Sequence, residues 1–237
     1  MRPSSPGARA TQAGSIARGA ADWLVEQADV EGEGPSLYHG QAGVLVALAE
    51  AAHVLGDDRY ARAVDDGPAK LSAAVEDLQD SSLYFGLAGL AFTLGALGRP
   101  DDASRALGHV RSRFDGKRWS PMFELLSGNA GVGLAALHTG DLELAVLAVT
   151  PYGTMADRTA HGVNWPVRPP PPRSHHIAHG TLGIVYALAA IGDAADRDDL
   201  IEVALAGAAD VVSRNEGGPD GFLVAHSDPP HRPDLIE

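Results

Sequence analysis

Three histidines crowd one short stretch, His175, His176 and His179, and two of them, His175 and His179, are four residues apart. On a helix that spacing puts two imidazoles on one face, where they can share a metal ion. The run Pro169–Pro172 just before and Gly180 just after break such a helix, so no metal site is expected from them. His226 and His231 lie in a Pro- and Asp-rich tail and read as solvated. The sequence contains no cysteine, which removes a thiol nucleophile, a Cys-type zinc site and a disulfide framework together. No Ser-His-Asp constellation, phosphate-binding loop or dinucleotide fingerprint is present. Glu124 is the carboxylate that can be placed at the mouth of an apolar helix, where the helix dipole alone would also favour it.

The elements that would position these side chains come from a repeated phrase. Ser36-Leu37-Tyr38-His39-Gly40-Gln41-Ala42-Gly43 returns as Ser82-Leu83-Tyr84-Phe85-Gly86-Leu87-Ala88-Gly89, as Glu124-Leu125-Leu126-Ser127-Gly128-Asn129-Ala130-Gly131, and as His176-Ile177-Ala178-His179-Gly180-Thr181-Leu182-Gly183. The first glycines are separated by 46, 42 and 52 residues, room for one helical hairpin per repeat. After each phrase runs an apolar stretch with almost no polar face, 40–55, 86–97, 128–137 and 180–191, and a more amphipathic one follows. This predicts an all-α fold, an inner row of buried helices wrapped by outer ones. Gly40, Gly86, Gly128 and Gly180 are then candidates to line a central cavity, since glycine lets helix ends converge with their N–H groups exposed; tight entry turns explain them equally well.

Punctuation gives the boundaries. Gly56 and Gly98 are helix stops, Asp57-Asp58 and Pro100 are starts, and Gly67-Pro68 interrupts the helix between Asp58 and Leu78. Residues 1–13 read as a flexible tail and 14–237 as one domain. The first helix is expected to bury Ile16, Ala20, Trp23, Leu24 and Ala28. Residues 161–175, with Trp165-Pro166, read as an extended loop, a lid or rim or a plain connector.

Composition limits the function. Few aromatics and many Ala, Leu, Gly and Val residues suit close-packed helices. A formal charge of −13 without any Lys/Arg-rich run argues against nucleic acid and anionic membranes as partners. No secretory signal and no stretch of about 20 uninterrupted apolar residues is found, so a cytoplasmic location is expected.

The four phrases, with Trp165-Pro166 ahead of Ala178-His179-Gly180-Thr181-Leu182-Gly183-Ile184, resemble the lanthionine synthetase C-like family from about residue 14 onward. The resemblance implies an α/α toroid of about seven inner and seven outer helices, of which about four hairpins would be present here. In that family the cyclases use zinc, held by cysteines and a histidine, to lower the pKa of a peptide thiol that adds to dehydroalanine or dehydrobutyrine. It also implies that His179 is the acid/base that protonates the resulting enolate, and that Glu124 stands where the cyclases usually carry Asp. His39 falls at a variable position and reads as lining or packing. With no cysteine, no zinc cofactor is expected in this chain, and the partners implied are a precursor peptide or a C-terminal half carrying the remaining hairpins. A ring cut after four hairpins would expose Ile184, Val185, Leu188 and Ile191 to water. A carbohydrate-active α/α toroid, which needs paired carboxylates, and a non-catalytic peptide-binding scaffold are the competing readings.

Overall fold

The computed structural model describes residues 6–27, 34–167, 173–219 and 221–228. Helices dominate: α1 (Pro6–Gln27), α2 (Gln41–Leu55), α3 (Asp58–Val64), α4 (Gly67–Ala74), α5 (Leu87–Ala96), α6 (Pro100–Ser112), α7 (Asn129–His138), α8 (Leu142–Met155), α9 (Thr181–Ala194) and α10 (Asp198–Ser213). Two short antiparallel strand pairs join β1 (Asp157–Arg158) to β2 (Val163–Asn164) and β3 (Arg173–Ser174) to β4 (Ser227–Asp228). The helices that follow the repeat phrases pack side by side in chain order, α2 on α5, α5 on α7 and α7 on α9, and α3, α6, α8 and α10 cover them from outside. This is the all-α, two-layered arrangement of an α/α toroid. Among the described residues no comparable packing joins α9 back to α2, and no helix is long and apolar enough to cross a membrane.

The expected punctuation is visible in the backbone. Gly56 ends α2 in the left-handed region at φ 63°, which an L side chain adopts at a cost. Asp57 then caps α3 by accepting the Arg59 N–H at 3.1 Å. Gly67-Pro68 opens α4 and Pro100 opens α6.

Four expectations are corrected. Helix α1 begins at Pro6, so residues 6–13 are helical instead of a tail; residues 1–5 lie outside those described. Its packed face is also rotated: Ala21 is buried with Leu24 and Val25 against Leu48 and Tyr60, whereas Ile16 and Trp23 are exposed. The Tyr60 hydroxyl donates to Asp22 at 2.9 Å, and this bond helps to fix that rotation. Helix α2 is not buried all round, because among the described residues it packs on one inner-row helix, α5; it buries Ala42, Leu45 and Leu48 and leaves Val54 in water. Ile184, Leu188 and Ile191 of α9 are fully buried and Val185 half-buried, because these residues face α7 and α10 instead of an open edge. A Cβ on Gly133 would sit 2.8 Å from Ile191, and one on Gly207 would sit 2.8 Å from Val185.

The described residues that follow β1 pack on the core. Trp165 is completely buried and its indole N–H donates to the Tyr152 carbonyl at 2.9 Å. The Tyr152 hydroxyl accepts the Ala130 N–H at 2.9 Å, and the Val167 carbonyl accepts the Phe123 N–H at 2.9 Å. The segment therefore packs behind the third repeat turn and holds it. The expected extension through Pro169–Pro172 lies outside the described residues.

The tightest constraint in the inner row is at the second glycine of each phrase. A Cβ on Gly131 would collide with the Leu125 carbonyl of its own turn and stand 2.7 Å from Leu83 Cβ of the preceding repeat, and one on Gly183 would collide with the Ile177 carbonyl of its own turn and stand 2.9 Å from Leu125 Cβ. Gly183→Ala should therefore lower the unfolding free energy by about 2 kcal/mol, read from urea midpoints. Gly108→Ala, on the exposed side of α6 with nothing within 4 Å, should raise it by about 0.5–1 kcal/mol. Equal effects of the two substitutions would contradict this packing.

Candidate functional site

The four repeat turns lie next to one another at the N-terminal ends of α2, α5, α7 and α9. Each has a polar side chain four residues before its first glycine, and in three of them that side chain closes the turn. Ser36 Oγ accepts the His39 N–H at 3.4 Å, Ser82 Oγ accepts the Phe85 N–H at 3.3 Å, and Glu124 Oε1 accepts the Ser127 N–H at 2.9 Å. Neighbouring turns are also tied through their backbones: Tyr38 N–H donates to the Tyr84 carbonyl at 2.9 Å and Tyr84 N–H to the Leu126 carbonyl at 3.1 Å.

The third turn departs from this ladder. Leu126 N–H donates to Glu124 Oε2 at 2.6 Å, so the carboxylate takes the bond that the equivalent N–H in the first two turns gives to the next turn. Glu124 is completely buried, and the same Oε2 is 3.6 Å from His179 Nδ1 of the fourth turn, whose side chain is 51% exposed. Burial pushes the Glu124 carboxyl above its ordinary value, while the Leu126 and Ser127 N–H groups and the His179 ring pull it back. The result is a buried carboxylate directed at a half-exposed imidazole, an arrangement that can hold and release one proton at the surface.

The two turns of this pair are supported differently. Ser120 Oγ donates to the Ser127 carbonyl at 2.9 Å on the Glu124 side. On the His179 side, His175 N–H donates to the His226 carbonyl at 3.1 Å, continuing the pairing of β3 with β4. Thr181 Oγ1 donates to Asn164 Oδ1 at 3.1 Å, and Asn164 Nδ2 donates to Asp210 Oδ2 at 2.6 Å. Arg214 completes the network, 3.0 Å from Asp210 and 3.3 Å from Asp228. Burial of Asp210 opposes its ionisation, but the bonds from Arg214 and Asn164 prevail and hold its carboxyl below the ordinary value. Sequence reasoning passed over Asn164, Asp210 and Arg214; the Asn164-Trp165-Pro166 run inside an otherwise loop-like stretch was the available signal.

The structure brings Glu124 and His179 together and leaves His39 apart. His39 is exposed in the first turn, its Nδ1 bonded to Ser36 Oγ at 2.7 Å and its ring against Phe85. Gly40, Gly86, Gly128 and Gly180, expected to line a cavity, are buried against the backbone of their own entry turns. His175, His176 and His179 diverge: His175 is buried, the His176 ring packs on His226, and His179 faces Glu124. Among the described residues no group of three His, Cys, Asp or Glu side chains can hold a metal ion. With no cysteine in the sequence either, the residues of this chain do not fit the zinc site that the family resemblance implies.

Residues 32–228 match the family model described as lanthionine synthetase C-like protein. The chain belongs to this family. Among solved structures it is similar to nisin cyclase, with 15% sequence identity and a TM-score of 0.66 over 90% of this chain and 61% of that one. At that identity the likeness shows the fold, and this lanthionine synthetase C-like chain spans about three fifths of the length of that cyclase. None of the curated proteins matches it.

Two outcomes follow. Because the folded state holds the Glu124 proton above the ordinary value of 4.5, stability falls as pH rises from 4.5 through the raised folded value. Urea midpoints over that range should shift in favour of Glu124→Gln relative to wild type as pH increases, and a constant difference would contradict the burial. Asp210→Ala strands Asn164 and Arg214 without their buried partner and should cost about 3 kcal/mol of stability at neutral pH, measured the same way.

Proposed function

We propose that this chain forms the peptide-facing, proton-transferring part of a lanthionine synthetase C-like site, and that unaided it does not generate the thiolate for ring closure. The observation that supports this reading is the pairing of buried Glu124 with half-exposed His179. When a peptide thiolate adds to dehydroalanine, its sulfur bonds to Cβ and the double-bond electrons move to Cα and the carbonyl. A proton must then reach Cα. A His179 imidazolium, balanced by the Glu124 carboxylate at Nδ1, would deliver it from Nε2 and return to neutral imidazole. Thiol activation needs ligands that this cysteine-free chain lacks, so further hairpins of such a ring, in the same polypeptide or another, would supply it.

Glycosidase-type chemistry is a weaker fit, since it needs two carboxylates facing one substrate and Glu124 is paired with an imidazole. Binding without chemistry is distinguished by stereochemistry. A synthetic peptide with one dehydroalanine and one cysteine cyclises slowly by itself at mildly alkaline pH and is protonated from either side. Excess wild-type chain should leave the rate close to that in buffer but bias the product towards one Cα epimer. His179→Ala should return the mixture found in buffer. An unbiased mixture with the wild-type chain would reject the proton-transfer role.

A further inference from the structure

We infer that the aromatic side chains of the first two repeat turns, Tyr38, His39, Tyr84 and Phe85, form a platform that docks a lysine or arginine side chain of a peptide. The inference rests on the peptide-binding reading above and adds a chemical class to it. The four residues occupy the two positions before the first glycine, where the third and fourth turns carry Leu126, Ser127, Ala178 and His179. The rim is thus divided into an aromatic half and a half that carries the Glu124–His179 pair.

The aromatic half is built, not incidental. Tyr38 stands 5.9 Å from Tyr84 and 5.5 Å from Phe85 between ring centroids, and His39 meets Phe85 edge-on at 6.0 Å. The backbone bonds from Tyr38 to Tyr84 and from Tyr84 to Leu126 fix the spacing of the turns, and the Ser36 bond fixes the His39 ring. Tyr38 is nevertheless 62% exposed, so the side chain is accessible to a ligand at little further ordering cost. An aromatic face attracts cations through its quadrupole. The surrounding charge favours the same ligand: the chain carries a formal −13, and the exposed Asp80 carboxylate sits at the base of the second turn, accepting the Ser82 N–H at 2.7 Å. A basic side chain held here would anchor a peptide whose neighbouring segment runs along the rim towards Glu124 and His179.

The test uses synthetic peptides with one dehydroalanine, one cysteine and a single lysine moved along the sequence, each paired with a norleucine version, titrated by fluorescence anisotropy. For at least one lysine position the wild-type chain should bind the lysine peptide roughly fivefold more tightly than the norleucine peptide. Tyr38→Leu, a change at an exposed ring, should abolish that preference, so that the lysine and norleucine peptides bind alike. Equal binding of both peptides by wild type at every position overturns the platform and leaves the peptide reading standing. A preference that survives in both Tyr38→Leu and Phe85→Leu places the cation elsewhere and also overturns it. Binding of neither peptide removes the platform together with the peptide reading.

Discussion

Each of the first three repeat turns carries a leucine three residues before its first glycine, and the Cβ of that leucine rests on the second glycine of the next repeat: Leu37 on Gly89, Leu83 on Gly131, Leu125 on Gly183. This contact between side chain and bare backbone limits how closely successive inner helices approach, and a methyl group at any of these glycines would meet that leucine and, closer still, a carbonyl of its own turn. Because the contact recurs with the same geometry, the turns line up at one end of the inner row and the residues before the first glycine share a rim. Ile177, the equivalent residue of the fourth turn, is exposed. The chemistry of the rim is therefore decided by which side chains those few positions carry.

One of those positions changes the pattern. Where the first two turns use a serine hydroxyl to close the turn, the third uses a longer side chain with two acceptor oxygens. Glu124 can satisfy its own turn through both oxygens and still lie beside the fourth. The cost is a carboxylate with no solvent, which raises its proton affinity; the return is a buried negative group under an imidazole that remains open to a peptide. The polar network of Asn164, Asp210 and Arg214 keeps the fourth turn in register with α10 and the last strand. It is part of what determines the distance between Glu124 and His179.

Much of the fold was legible because its signals are local. Glycine and proline mark helix ends through backbone conformation alone, so Gly56, Gly98 and Pro100 are readable without any tertiary information. What the sequence does not carry is direction. A helix that is apolar on nearly every face, such as α9, does not say which face meets its neighbours; Ile184, Leu188 and Ile191, expected at the open edge of a ring cut after four hairpins, lie in the core. Trp165 was ambiguous for a similar reason: a loop composition surrounds a side chain that the fold buries completely. Glu124 and His179 were each recognisable as helix-mouth residues, but their meeting depends on how two separate turns pack and has no counterpart in spacing.

The central claim is that Glu124 and His179 act as one unit, with the carboxylate engaging Nδ1 of the ring. The most direct measurement is the tautomer of neutral His179, read from its ring ¹⁵N chemical shifts in the wild-type chain and in Glu124→Gln. The account predicts a proton on Nδ1 in the wild type, held towards the carboxylate, and a shift towards Nε2 protonation in the variant. A wild-type ring protonated on Nε2, with the same shifts in both proteins, would show that the two residues are merely neighbours.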